Sequence, residues 1–459
     1  MTPYIPPHVL PPEAASVGLA ALRETSRCIL RTWPRAMYET DLWEHPAGGI
    51  VHVMSPDAVR TVLLDSTDIF VPSTMRRRVL RPIWRDGLAV AEGAGWRWQR
   101  KAASPAFSPV RSLAVVPHAN RAADDLVAEW RQCAASRIEI TRPLARAATM
   151  VVLDALFEGI GGTTDRSRIM ASCEQLDAGM GRMNYADILR LPGWCRRFLG
   201  PTFDKPARTL HRLVAPLLHA RLASRTDRIS LLADLRCALD PVTGQAMSPA
   251  LIEDHMVGAI AAGRETTALA LAWTLYLIAH HEPTEQRLLR EILDVADSGE
   301  ITSDHLERLT FTRSVLLESM RLFPPAPLLS RDALADTIIA GHRVRKGTVV
   351  VVPIYAIHRH KSFWHNPDAF EPERFSAASL GDRDLRFRFL PFGAGPRVCI
   401  GMGFALAEAT VILARLIREL RIRPGGSVDF AVGAALRPKG GLRLTISPRA
   451  VKQTAAGTS

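Results

Sequence analysis

A single cysteine, Cys399, lies in a loop-like decapeptide, FGAGPRVCIG, at residues 392–401. Three of these ten residues are glycine, which accepts positive φ and has no Cβ, so the backbone can turn tightly and approach a flat or bulky group. A helix is predicted from residue 402, and the free amides and dipole of a helix N-terminus favour a thiolate over a thiol. Arg397 adds a permanent positive charge two residues before the sulfur. The pattern favours a thiolate that binds a ligand.

Two other interpretations of Cys399 are weighed against that one. A catalytic nucleophile needs a histidine base and an orienting carboxylate nearby, and the surrounding sequence offers neither. A buried cysteine at the start of a helix, with no chemical role, stays open as the structural alternative. The other five cysteines are scattered without paired spacing, which argues against a disulfide framework or a zinc finger.

Residues 256–279 (MVGAIAAGRETTALALAWTLYLIA) form a long apolar stretch whose only charges are Arg264 and Glu265. A membrane span is one interpretation, but a charged pair is costly in lipid and a helix apolar all round also fits a protein core, which we favour. Thr266 follows the charges, and a threonine hydroxyl can bond the carbonyl one turn back and admit water. This turn is predicted to open a groove; the alternative is a buried threonine beside charges that face another helix.

Charged and aromatic residues recur at helical spacing in two more places. Glu318 and Arg321 are three apart in LLESMRLFPP, and Trp96 and Arg100 are four apart in GWRWQRK. Taken alone, each is an ordinary helix-surface pair, and an ion pair at this spacing contributes only about 0.2–0.5 kcal/mol. Arg374, in FEPERF, and Arg331 are likewise unremarkable in isolation.

The elements that position these residues change character along the chain. A strand and a short helix beginning after Ser55 are predicted within 47–65. Helical period dominates 95–323, whereas TIIAGHRVRKGTVVVVP alternates apolar and polar residues and predicts strands with turns at Gly341 and Gly347. A helix over 402–420 and a strand over 442–446 close the pattern.

The composition is that of an ordinary globular protein, with 47% apolar and 23% charged residues. The net charge of +12 could suit nucleic acid, but the basic residues are spread throughout and match no nucleic-acid-binding motif, so we expect no nucleic-acid partner. A basic face for an acidic protein stays open. No secretory signal or N-terminal anchor is recognised, so a cytoplasmic protein without a membrane anchor is predicted.

The pattern Phe392-x-x-Gly395-x-Arg397-x-Cys399-x-Gly401 resembles the haem-binding loop of the cytochrome P-450 family. Ala262–Thr267 is similar to the family's oxygen-activation segment, and Glu318-x-x-Arg321 with Arg374 is similar to its Glu-Arg-Arg network. Trp96-x-x-x-Arg100 and Arg331 match its haem-propionate contacts. These matches run in the family's order over nearly the whole chain.

The resemblance implies the cytochrome P-450 fold, mainly α with a small β-rich lobe (α+β). Residues 1–20 are expected to be an extended, mobile N-terminus, 21–450 a single domain and 451–459 a mobile tail. Within the domain the resemblance implies the following parts: a helix-rich part 95–323, a β-rich part and meander 324–391, the haem-thiolate loop 392–401, and a C-terminal helix with strands 402–447.

The resemblance also implies roles for individual residues. Cys399 is the implied axial ligand of haem b iron, and Thr266 and Glu265 are implied to manage protons during dioxygen activation. Glu318, Arg321 and Arg374 are implied to be structural. The remaining implied cofactor contacts are Arg397, Phe392, Gly401, Trp96, Arg100 and Arg331.

A soluble bacterial monooxygenase is therefore expected, inserting one oxygen atom into a hydrophobic small molecule by hydroxylation or epoxidation. Electrons from NAD(P)H are expected to arrive through a separate ferredoxin and ferredoxin reductase, or a flavodoxin-type donor, and the enzyme is expected to be a monomer. The alternative is a haem-thiolate isomerase, peroxygenase or gas-binding protein that uses no reductase. The sequence does not distinguish among fatty acid, terpenoid and other lipid-like substrates.

Overall fold

The computed structural model describes residues 4–16, 18–133, 136–157, 162–200, 202–223, 230–376 and 385–449. Helices dominate this part of the chain and short strands gather in small sheets, which confirms the predicted fold class of a mainly α protein with a β-rich lobe. The expected tail 451–459 and part of the connection before Cys399 lie outside the described residues.

Most α-helices of the described residues precede residue 328 in the chain, and three follow it. Their bounds are α1 Gly18–Cys28, α2 Pro56–Arg60, α3 Thr74–Trp84, α4 Gly93–Ala103, α5 Pro109–Ser112, α6 Val116–Gln132, α7 Thr141–Phe157, α8 Thr163–Met180, α9 Tyr185–Ile188, α10 Asp204–Ala223, α11 Leu231–Cys237, α12 Pro249–His280, α13 Glu282–Val295, α14 Ser303–Arg308, α15 Thr310–Leu322, α16 Ile354–Ile357, α17 Leu385–Arg388 and α18 Met402–Glu419.

The strands are short. Their bounds are β1 Leu42–Glu44, β2 Ile50–Val53, β3 Phe70–Pro72, β4 Ser136–Glu139, β5 Leu329–Ala333, β6 Thr337–Ile339, β7 His342–Val344, β8 Val349–Val352, β9 Leu420–Pro424, β10 Phe430–Val432, β11 Leu436–Pro438 and β12 Arg443–Pro448.

The largest sheet has five strands in the order β1-β2-β8-β5-β3. Its β2–β8 pair is parallel and the others are antiparallel, with Val51 opposite Val350 in the parallel pair. A three-stranded sheet has the order β4-β12-β9, and β6–β7 and β10–β11 form separate hairpins. The predicted turns at Gly341 and Gly347 have φ of 79° and 84°, the left-handed region that glycine tolerates best.

Helices α2 and α12 each begin after a serine whose side chain caps the helix N-terminus. The Ser55 side chain accepts a hydrogen bond from the Ala58 amide at the start of α2, and Ser248 caps α12 in the same way, with Pro249 at the first helical position. The 3.4 Å and 3.2 Å donor–acceptor distances satisfy amides that have no intrahelical partner. The local sequence therefore sets where these helices begin.

The apolar stretch 256–279 lies inside α12, and most of its side chains are buried. Helices α7, α10, α15 and α18 pack around it, which confirms the interpretation as a core helix. In the part of the chain that the structure describes, none of the helices has the length and apolar character to cross a membrane.

The N-terminal segment differs from the expectation of an extended stretch to residue 20, because α1 already begins at Gly18. Residues 4–16 form neither helix nor strand. The Val9 amide donates to the Tyr355 hydroxyl over 3.1 Å, and the Arg35 amide donates to the Pro12 carbonyl over 2.9 Å. The segment is thus held against the folded core.

Candidate functional site

The loop around Cys399 is closed by its own backbone. The Cys399 amide donates to the Phe392 carbonyl over 2.9 Å, and Gly393 and Gly395 both have φ of 72°. A Cβ on Gly395 would lie 1.9 Å from the Leu63 carbonyl oxygen. The interpretation of Gly395 as room for a ligand is therefore corrected: this glycine is needed because the backbone of another segment packs against it.

The Cys399 side chain is solvent-accessible, two residues before Gly401, the N-cap of α18. Burial nevertheless raises the pKa of the Cys399 thiol, while the Gly401 amide and the Arg100 guanidinium oppose that rise. The sulfur thus faces a recess within the protein rather than the outer surface. The helix N-terminus alone does not make it a thiolate, contrary to the simple expectation, because desolvation outweighs the amide; a bound metal ion would deprotonate it.

Three arginines converge at one side of this region. Arg331 is 5% exposed, and burial together with the charges of Arg76 and Arg397 lowers its pKa to about 9. Burial and Arg76 lower the pKa of Arg397 to about 10. Within the described residues, none of the three has a carboxylate within ion-pair distance. Such a cluster of buried cations is suited to an anionic ligand.

A cavity of about 210 Å³ lies against two of these arginines. Arg331, Arg397 and Trp96 line it, and the Arg397 guanidinium carbon lies 4.2 Å from the centroid of the Trp96 ring. Arg100 does not line this cavity; its charge interacts with Cys399 instead. The structure therefore brings Trp96, Arg331 and Arg397 together and places Arg100 nearer the sulfur.

Helix α12 presents an accessible hydroxyl in the predicted turn. The Thr266 Oγ1 donates to the Ala262 carbonyl over 2.7 Å, and both residues are exposed although their helix is otherwise mostly buried. They share one face because they are four residues apart. The helix runs on without a break, and on its other side a Cβ on Gly263 would lie 2.9 Å from a methyl of Val152.

The two charged residues of the apolar stretch 256–279, Arg264 and Glu265, do not pair with each other. Arg264 forms a two-pronged ion pair with Asp177 of α8, at 2.5 and 2.6 Å. Glu265 contacts the Arg437 Nε of β11 at 2.5 Å. Burial raises the pKa of Glu265, and the Arg437 guanidinium opposes that rise. An acid with a raised pKa beside an accessible hydroxyl is equipped to carry protons.

Glu318, Arg321 and Arg374 form a buried network. Arg321 donates twice to the Glu318 carboxylate, both at 2.7 Å, and to the carbonyls of His358, Pro367 and Ala369.

The Arg374 Nε lies 3.5 Å from Glu318, and an Arg374 Nη2 lies 2.6 Å from Glu371. The interpretation as a surface pair does not hold for Glu318 and Arg321, because both are fully buried. The network ties α15 to the segment that leads toward the cysteine loop.

His358 also contacts this buried network. Its Nδ1 lies 3.0 Å from the Arg321 carbonyl, and its Nε2 accepts from the Leu390 amide over 2.7 Å. Burial lowers the pKa of His358 to about 3, so the ring is neutral. The histidine therefore links α15 to the residues just before Phe392.

The residues present fit a haem. Haem needs an axial ligand, for which the accessible Cys399 thiol is suitable, and partners for two carboxylates. Arg76, Arg331 and Arg397, which pair with no carboxylate among the described residues, are suitable for that. Phe392 begins the loop and is half-buried. The roles of the individual residues stay predictions.

Sequence reasoning missed Arg76 and Arg437. Arg76 lies on α3, in a run of three arginines, and that run is the only signal for it in the sequence. Arg437 lies on β11, more than 170 residues after Glu265, and no local pattern marks it. Both are found only when distant segments are brought together.

Comparison with known proteins agrees with this geometry. The sequence profile of the family described as cytochrome P450 matches residues 42–442. The putative cytochrome P450 132 of Mycobacterium tuberculosis is 37% identical over 238 residues, 51% of this chain and 50% of that protein. This match therefore spans about half the length of that relative.

Two further relatives align over more of their length. Cyclooctat-9-en-7-ol 5-monooxygenase of Streptomyces melanosporofaciens is 30% identical over 80% of this chain and 79% of its own. Human cytochrome P450 4F8 is 28% identical over 92% of this chain and 84% of its own. The chain belongs to the cytochrome P450 family. Membership implies a haem cofactor and dioxygen, and it confirms the resemblance found in the sequence.

Proposed function

We propose that this protein is a haem-thiolate monooxygenase, which activates dioxygen and inserts one oxygen atom into a hydrophobic small molecule. The observation that carries the proposal is the accessible Thr266 hydroxyl on α12, next in the chain to the largely shielded Glu265, in a protein whose Cys399 thiol is also accessible. A protein that only bound a gas or rearranged a substrate would have no need of a proton-carrying pair. Two relatives with monooxygenase or cytochrome P450 in their names support this class.

The chain's residues have distinct tasks in this proposal. Cys399 binds the iron, and Arg76, Arg331 and Arg397 bind the propionates, with Trp96 packed on Arg397. When bound, a thiolate-ligated haem supplies the chemistry of dioxygen activation. Thr266 holds a proton at its Oγ1 on the accessible face of α12, and Glu265 supplies protons from the buried side.

The substrate is proposed to be apolar because the accessible face of α12 is apolar apart from Thr266. Ala262 shares that face, and Trp84 of α3 packs so closely on α12 that a Cβ on Gly258 would lie 2.3 Å from its ring. One relative is by name a monooxygenase of cyclooctat-9-en-7-ol. Electrons are proposed to come from NAD(P)H through a ferredoxin and its reductase or a flavodoxin-type donor. The enzyme is proposed to act as a cytoplasmic monomer.

The first experiment tests the iron ligand. The reduced, haem-loaded protein with carbon monoxide should show the red-shifted Soret band of thiolate ligation, and Cys399→Ser should abolish it. Cys237→Ser is the matched control, because Cys237 is also exposed but lies at the end of α11. An unchanged band in Cys399→Ser would overturn the assignment.

The second experiment tests the proton-carrying hydroxyl. Thr266→Ala should keep haem and substrate binding but divert reducing equivalents to hydrogen peroxide. Thr274→Ala is the matched control: its hydroxyl also donates to the carbonyl four residues back, over 2.7 Å, but it is fully buried in the same helix. Tight coupling in Thr266→Ala, or equal uncoupling in both variants, would refute the role of Thr266.

A third experiment separates the proposed class from its rivals. Oxygen uptake that depends on NAD(P)H, a generic ferredoxin and its reductase is expected with a bound substrate. Substrates would be found by the spectral shift that displacement of iron-bound water produces, screened across fatty acids, terpenes and steroids. Product formed from peroxide or by rearrangement, with no reductant, would favour a peroxygenase or isomerase.

A further inference from the structure

The carboxyl of Glu265 does not face the accessible side of α12. Successive helix residues point about 100° apart, so Thr266 faces the accessible side while Glu265 turns toward the β10–β11 hairpin. The Glu265 and Arg437 side chains are only 13% and 15% exposed. An acid proposed to carry protons is therefore enclosed by a guanidinium from a distant segment.

Arg437 is anchored by helix α8. Its Nη1 donates to the Asp177 carbonyl over 2.5 Å. The same end of α8 receives the tip of the hairpin, since the Ala434 amide donates to the Met180 carbonyl over 3.2 Å. A Cβ on Gly433 would lie 2.0 Å from that carbonyl oxygen, so only glycine permits this close approach. The hairpin and α8 thus form one support for Arg437.

Four charged residues lie in sequence through this region and alternate in sign: Glu265, Arg437, Asp177 and Arg264. Asp177 gives its carboxylate to Arg264 and its carbonyl to Arg437, so the two guanidiniums do not compete for one carboxylate. Asp177 is 25% exposed and lines a cavity of about 70 Å³ with Arg264 and Glu174. These four residues therefore extend from that cavity to the Glu265 carboxyl.

The Arg437 and Glu265 side chains are in close contact, but no bidentate hydrogen-bonded fork fixes their relative orientation. The Arg437 Nε lies 2.5 Å from a Glu265 carboxylate oxygen, and within the described residues neither the Nε nor the Nη2 of Arg437 has a well-aligned hydrogen bond. A bidentate fork, such as Arg264 makes with Asp177, holds its carboxylate in one orientation. Glu265 is charge-compensated yet free to reorient.

We propose that Arg437 is the positioning residue of the proton-carrying Glu265, held in place by α8 through the Asp177 carbonyl. The proposal rests on the proposed function, because Glu265 carries protons only in an oxygen-activating enzyme. Arg437 offsets the cost of burying the carboxylate, so Glu265 can both give up a proton and take one back at working pH. Because no aligned fork holds it, the carboxyl is able to swing between the guanidinium and the Thr266 side.

The test measures the ionisation of Glu265 directly in the haem-loaded protein. Infrared spectra over a pH series, with Glu265→Gln subtracted, isolate the carboxylic acid band of this residue. The charges that face it are Arg437 from the hairpin, Asp177 from α8 and Arg264 from its own helix; Cys173 and Glu174 of α8 lie beyond Asp177.

Arg437→Gln should move the titration of Glu265 to higher pH, by about 1–3 pH units, because an opposing charge is lost. Arg437→Lys should restore most of the wild-type midpoint. Asp177→Asn is the matched control and should move the midpoint to lower pH, because the Asp177 charge raises the pKa of Glu265. A Glu265 midpoint unmoved in folded Arg437→Gln would overturn the proposal.

A second measurement separates this proposal from the proposed function. Peroxide released per NAD(P)H consumed should rise in Arg437→Gln and return toward wild type in Arg437→Lys. If the infrared shift occurs but no variant or wild type consumes oxygen with a reductase, the monooxygenase function fails while the positioning contact stands. If the wild type is coupled and Arg437→Gln is equally coupled, the positioning role is refuted.

Discussion

Two glutamate–arginine pairs of this protein are built differently: Glu318 and Arg321 are fully buried, whereas Glu265 and Arg437 are 13% and 15% exposed. Arg321 places all five of its N–H donors, two on Glu318 and three on backbone carbonyls. The Arg437 Nε lies 2.5 Å from Glu265, and Arg437 leaves donors without aligned partners among the described residues. The first pair has no freedom to rearrange, whereas the second does.

The difference indicates that an ion pair inside this protein can have either a structural role or a role in proton exchange. A buried charge is costly unless every group around it is satisfied, and the Glu318–Arg321 pair meets that condition while tying α15 to the segment before Cys399. The Glu265–Arg437 pair meets it only in part, beside an accessible hydroxyl. The first arrangement is suited to a structural brace, and the second leaves an acid that is able to change its protonation.

The largest effect is expected from Arg321→Lys. Lysine cannot form the planar fork and would leave several carbonyls and a buried carboxylate oxygen without donors. A loss of about 3–5 kcal/mol in the free energy of unfolding is expected, with failure to retain haem. Denaturant unfolding and the ratio of Soret to protein absorbance would measure both.

Arg287→Lys is the control for that substitution, because Arg287 is a half-exposed arginine paired with the exposed Glu373. It should change stability by less than about 1 kcal/mol. Comparable losses in the two variants would contradict the idea that the Arg321 network is a brace.

A smaller effect is expected from Arg264→Gln, which breaks the bidentate pair with Asp177. A hydrogen bond to a charged group contributes about 1.5–3 kcal/mol, and the lower end is expected because Asp177 is 25% exposed. Thermal unfolding would measure this. A loss as large as that of Arg321→Lys would show that the Asp177 group is also a rigid brace.

An effect that depends on pH is expected at Glu408 of α18, another buried glutamate, for which the described residues offer no guanidinium partner. It is fully buried, and burial raises its pKa well above the ordinary value, with the Thr267 hydroxyl opposing. At low pH the group is protonated in both the folded and unfolded states. Above the ordinary pKa the unfolded chain ionises first, so the folded state loses stability as pH rises.

Relative to Glu408→Gln, the wild type should therefore lose about 1.4 kcal/mol per pH unit above the ordinary pKa of a glutamate, until the folded group itself ionises. Thermal unfolding of both proteins between pH 5 and 8 would measure the gap. Glu307→Gln, an exposed surface substitution, is the control. A gap that stays constant with pH would mean that Glu408 is ionised in the folded protein.

The chain's local patterns sufficed for the fold class, the helix start at Ser55, the core helix and the family. They sufficed because capping, periodicity and the cysteine loop are encoded within a few residues. They were less reliable for Gly395, whose neighbour is the backbone of Leu63, and for the Cys399 thiol, whose pKa depends on surrounding burial.

The sequence by itself determined which residues could do chemistry, because a thiol, a hydroxyl and an acid keep their chemistry wherever they lie. Tertiary structure alone decided which of them share an environment. Arg76 joins Arg331 and Arg397, and Arg437 meets Glu265, although the residues in each case are far apart in the chain. Desolvation and Coulomb interactions act through space, so only the folded chain sets which charges are compensated and which acid is left free to titrate.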